Sequence, residues 1–129
     1  MDIQNPGKFY DEFLITLRKA KKFPDSTYVQ QYNSQKQCLP SFMEASVLCF
    51  DSRVQLVLLL MELMMVHTDI WNLEADIRQG QEGRLGLEEV GRRALEIRGI
   101  NGRRIQIVNE INALFDVPTV ERKFDHASE

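Results

Sequence analysis

An imidazole, an indole, a carboxylate and a guanidinium recur at steps of three and four between His67 and Arg78. That spacing lays His67, Trp71, Glu74 and Arg78 along one side of an α-helix. Further on, Asn101 and Arg104 stand one helical turn apart among apolar neighbours. Brought together, the six could hold a small anionic or polar ligand. Arg104 would offer a two-pronged donor to a phosphate or carboxylate. Glu74 or His67 would be the acid or base, and Trp71 a stacking wall.

The same residues also read as a structural network. Buried polar groups must be paired, and an Arg104–Glu74 pair with Asn and Trp N–H donors could pair itself and fix the register of two helices. His67 alone reads more readily as a satisfied histidine at the core edge than as a ligand. Catalytic residues are not identifiable. No Glu-x-x-His pair occurs, and Asn101, Asn109 and Asn112 stand where a bundle metal site would want Asp or Glu, so no metal or cofactor is expected. Glu62, Asp69 and Asp76 recur at seven residues, which suits a solvated helix face. There is no Gly-rich phosphate loop, no GxSxG and no supported Cys–His pairing.

The elements that must position these residues centre on Leu56–Arg78. Ten of the eleven residues in Leu56–Val66 are apolar, the exception being Glu62. A helix apolar all round is buried on several sides or spans a membrane. This run is shorter than the about 20 residues a bilayer needs and is bracketed by Arg53 and His67–Asp69. It therefore reads as a central bundle helix whose full covering calls for a second subunit, and a homodimer is expected. Beyond it, Leu63, Val66, Ile70, Leu73 and Ile77 continue an apolar stripe.

Taken in order, Lys8–Lys22 reads as a helix with Phe9, Phe13 and Leu17 on one face, its basic RKAKK end suited to a helix C-terminus. Phe23-Pro24 stops it. Asp25 or Ser26 could cap a weaker helix to about Gln37. After Pro40, Ser41 and Glu44 form a capping-box pattern, and no Pro or Gly follows until Gly80. One helix over Ser41–Gln79 is expected, with a bend possible near Asp51-Ser52. Gly80–Gly86 marks a loop, and Leu87–Phe115 a last helix with Ala94, Ile97, Asn101, Arg104, Val108, Ile111 (or Asn112) and Phe115 inward. Gly99 and Gly102 suggest a close helix approach or a kink. The short loop makes the pair antiparallel, with Glu74 opposite Ala94 and His67 opposite Asn101. The fold class is thus all-α, a bundle of four main helices in one domain over residues 1–129, with a long antiparallel pair at 41–79 and 87–115. Residues 117–129 are a loose tail, and His126 within it has no role.

Net charge is −3, which gives no general attraction to nucleic acid. Cys38 and Cys49 flank Pro40 without a CxxC and fit a reduced cytoplasmic protein. The first residues lack a basic segment followed by an apolar one, so no secretory signal is expected, and no membrane partner either.

Two segments resemble a known family. I70-W71-N72-L73-E74-A75-D76-I77-R78 is similar to its Leu-Trp-His-x-Glu-Asp-x-Ala-Arg signature, and I100-N101-G102-R103-R104-I105-Q106-I107-V108-N109-E110-I111-N112 to its Leu-Asn-x-x-Arg-Asn-Asp-Leu-Ile-Glu-x-Ile-Asp segment. The family is an uncharacterised bacterial helical one, domain of unknown function 4254. Trp71, Glu74, Arg78, Asn101 and Arg104 match. Asn72, Ala75, Ile105, Gln106, Asn109 and Asn112 depart, and most of those departures lose a carboxylate. The resemblance implies a helical fold and brings no activity.

Two functions follow as expectations. The first is a non-enzymatic binding or interaction module with a small anionic ligand. The alternative is a metal-dependent hydrolase of phosphorylated small molecules, like a helical nucleotide pyrophosphohydrolase. Such an enzyme needs several carboxylates on facing helices. Here only Glu62, Asp69, Glu74 and Asp76 are available, split between two faces.

Overall fold

The computed structural model describes residues 5–40, 48–79 and 86–115. Among them are four helices and no strand: α1 (Pro6–Lys22), α2 (Thr27–Lys36), α3 (Phe50–Gln79) and α4 (Leu87–Leu114). The protein is an all-α bundle, and α3 packs most extensively on α4.

Local chemistry sets the ends. Asn5 caps α1, its side-chain oxygen accepting from the Lys8 N–H, and Pro6 stands in the first turn, where a missing N–H costs nothing. Ser26 caps α2 by accepting from Tyr28. Helix α4 begins without a side-chain cap at Gly86, and Glu88 and Glu89 in its first turn complement the helix dipole.

Two expected boundaries move. Leu48 and Cys49 are not helical, so the described helix α3 starts at Phe50. The suspected bend at Asp51-Ser52 is its first turn. The Ser41–Glu44 capping box, the 80–85 part of the loop and the 117–129 tail with His126 lie outside the described residues. The glycines of α4 also differ from expectation. A Cβ built at Gly99 or Gly102 meets nothing within 4 Å, so none of the described helices approaches them closely.

Helices α3 and α4 run antiparallel. Asp76 meets Arg93 at 2.5 Å near the turn, and Glu62 meets Arg103 at 2.5 Å farther from it on both helices. Their shared core is Leu56, Leu63 and Val66 against Ile107 and Ile111, closed at one end by Tyr10 of α1. Burial on α4 is broader than one stripe, since Ile105 and Ile107 are buried while Ala94 is exposed. The reason is that α1 packs on the C-terminal half of α4, so this half is covered from two sides.

That docking is specific. The Gly7 N–H donates to Asn112 Oδ1 at 2.8 Å, and Asn112 Nδ2 donates to Asn5 Oδ1 at 3.0 Å. Asn112 is fully buried. A Cβ on Gly7 would lie 2.2 Å from the Val108 carbonyl oxygen, so only glycine lets the two backbones come this close. Helix α2 leans on α1 through the stacked rings of Phe13 and Tyr32, 5.3 Å apart.

Candidate functional site

Helix α1 carries Asp11, Ile15, Arg18 and Lys22 at steps of four, three and four, so they share one face. That face lies over the polar end of the α3–α4 pair. Asp11, Arg18 and Lys22 each reach a side chain on α3.

Asp11 is the hub. It is 5% exposed, and its two carboxylate oxygens take different partners. Oδ1 lies 2.7 Å from His67 Nε2. Oδ2 accepts from Arg104 Nη1 at 2.5 Å. Arg104 Nε in turn donates to Asn101 Oδ1 at 2.7 Å. A carboxylate can only accept, so the imidazole carries its proton on Nε2. The chain His67–Asp11–Arg104–Asn101 joins three helices, and its inner members satisfy one another. The partner expected for Arg104 was Glu74. The structure corrects this: Glu74 is exposed at the rim, whereas α1 delivers the buried Asp11 to the partly buried guanidinium.

Beside this network lies a cleft of about 250 Å³ lined by Ile15, Arg18 and Lys19 of α1, His67, Ile70, Trp71 and Glu74 of α3, and Asn101 and Arg104 of α4. A second cleft of about 480 Å³ lies against it, lined by Leu14, Leu17, Lys21, Lys22 and Met64 and sharing Arg18, His67 and Trp71. Trp71 and Arg18 thus divide the two. The Arg18 guanidinium is 5.9 Å from the indole centre and donates to Thr68 Oγ1. Lys22 Nζ lies 4.9 Å from the same ring, and Lys19 Nζ 5.2 Å from the ring of Tyr28. Among the described residues none of Arg18, Lys19, Lys21 and Lys22 meets a carboxylate.

Of the six residues expected to cluster, the structure brings His67, Trp71, Glu74, Asn101 and Arg104 to one cleft. Arg78 is exposed and outside it. Sequence reasoning missed Asp11, Arg18, Lys19 and Lys22. The signal was present in their shared helical face, but the basic run at the end of α1 reads equally well as dipole compensation. The candidate metal donors do not converge. Glu62 is held by Arg103 and Asp76 by Arg93, and no group of three or more His, Cys, Asp or Glu gathers among the described residues.

No family model matches the chain, and neither curated proteins nor solved structures yield a match.

Proposed function

We propose that this chain is a non-enzymatic binding module that takes a small organic anion against Trp71. The observation that carries the reading is the set of four cations gathered at the end of α1 that meet no carboxylate among the described residues, two of them lying against the one tryptophan of the chain. Cations over an indole face are attracted by about 0.5–2 kcal/mol. Arg18 gives one N–H to Thr68 Oγ1, and its other donors and those of Lys22 would serve phosphate or carboxylate oxygens. The neighbouring clefts supply apolar walls from Leu14, Leu17 and Ile70.

The Asp11 network supports a binding role over a catalytic one. His67 gives its Nε2–H to Asp11 and is 6% exposed, so the ring is held inside the frame. Arg104 is committed to Asp11 and Asn101. The network is a frame that holds α1 over α3 and α4. A cytoplasmic setting accords with the free Cys38 and Cys49. Kinship with domain of unknown function 4254 belongs to the same proposal and rests on the α3 and α4 segments already quoted.

Trp71 is its own reporter. Titration with pyrophosphate, nucleoside monophosphates and dicarboxylates should change its fluorescence for at least one of them. Arg18→Gln/Lys22→Gln should weaken that response tenfold or more while leaving the far-ultraviolet circular dichroism unchanged. A flat response across the panel at millimolar concentration would overturn the proposal. So would Mg²⁺-dependent turnover of a nucleotide, abolished by Glu74→Gln.

A further inference from the structure

Helix α3 buries Leu56, Leu63 and Val66 against the bundle and turns a second apolar face the other way. On it stand Phe50, Val54, Val57, Leu58, Met61 and Met65, at steps that keep them on one side of the helix. Phe50 is 76% exposed, Met65 68%, and the four between them 44–59%. Together they expose on the order of 600 Å² of apolar surface. That reaches the upper end of the roughly 300–600 Å² for the largest patch on a monomer and most of the roughly 800 Å² each partner gives to a standard interface.

We infer that this face is the interface of a two-fold homodimer in which α3 packs antiparallel on its own copy. Self-complementarity is the argument. Six of the seven exposed apolar positions of α3 are symmetric about the midpoint between Val57 and Leu58; the seventh, Met64, lines the cleft beside Trp71. Val54 and Met61 are equally distant from it, and so are Phe50 and Met65. Antiparallel pairing about that midpoint therefore levels Phe50 with the partner's Met65 and Val54 with the partner's Met61. An isologous contact requires this kind of match. The same pairing keeps Arg53 and Glu62, which flank the face, away from their own images. A parallel pair would set each against itself.

A lipid surface is the competing occupant, because α3 is long and apolar enough to cross a membrane by length and composition alone. The flanks argue against it. Helices that lie on membranes border their apolar face with Lys and Arg. Here Asp51, Glu62 and Asp69 outnumber Arg53 beside the patch.

The test is sedimentation velocity on the full chain at tens of micromolar, with the double variant Leu58→Glu/Met61→Glu. Both side chains are more than half exposed, so the variant should keep its helical circular dichroism. The parent should sediment at twice the monomer mass and the variant at the monomer mass. Dilution should lower the melting temperature of the parent but not of the variant, as mass action requires. A monomeric parent or a dimeric variant would overturn the inference. So would a monomer that co-sediments with phosphatidylcholine–phosphatidylglycerol vesicles, which would assign the face to lipid.

Discussion

Replacing Asp11 by Ala should destabilise the protein more than its position on a short first helix suggests. The side chain is 7% exposed and accepts from both His67 and Arg104, whose side chains are 5% and 21% exposed. Removing it strands a guanidinium and an imidazole that α1 has covered. Breaking a buried pair from one side costs about 3–5 kcal/mol. Arg104 keeps Asn101 and some water, so the lower end applies, about 3 kcal/mol. For a chain of this size that corresponds to a fall of about 12 °C in melting temperature, at about 4 °C per kcal/mol. Asp11→Asn keeps one acceptor and should lose about half as much by the same reasoning. The pair itself is measured by Arg104→Met alone and with Asp11→Asn. If the two form one network, the double variant loses less than the two single losses added together, by about 1 kcal/mol or more. Glu74→Gln is the control, and it should shift stability by less than about 0.5 kcal/mol because the residue is exposed. Thermal melts that place Asp11→Ala within that same margin, or a strictly additive cycle, would refute the account of Asp11 as the hub.

Gly7→Ala should destabilise by about 1–3 kcal/mol in urea titrations, since the new methyl meets the Val108 carbonyl oxygen. The higher helix propensity of Ala works in the opposite direction and makes stabilisation the refuting outcome. The first turn of α4 should loosen in acid. Hydrogen bonds from Arg92 and Arg93 hold the Glu89 carboxyl down at about 2, against an ordinary 4.5. A depressed carboxylate stabilises the fold above its unfolded value and loses that contribution as pH falls through the folded one. Protection of the amides near Glu88–Arg93, measured against their intrinsic exchange at each pH, should therefore fall between pH 4.5 and 2, and Glu89→Gln should show the lower protection throughout.

The long helix pair was legible because its signals are local: an apolar run, a glycine-marked loop and a 3.6-residue period. The register was legible too, since a short loop fixes which residues face each other, and His67 and Asn101 do line one cleft. What sequence could not supply was the place where the third helix, α1, docks. Asp11 looks like any acidic residue on an amphipathic helix, and its burial depends on where α1 docks. That docking is decided by Gly7, Asn5 and Asn112, which lie more than 100 residues apart in sequence at the contacts they make. Arg104 was correctly suspected of needing a carboxylate, and the nearest one by register was Glu74. The rule that buried charge must be paired gave the right demand and the wrong partner, because periodicity orders residues within helices and says nothing about a third helix laid across them. The same limit explains why the outward stripe of α3 was read only as a helix apolar all round. Once α4 and α1 occupy one side, six of the seven apolar residues left exposed define a separate face, and its symmetry about Val57 and Leu58 can be tested independently of the site.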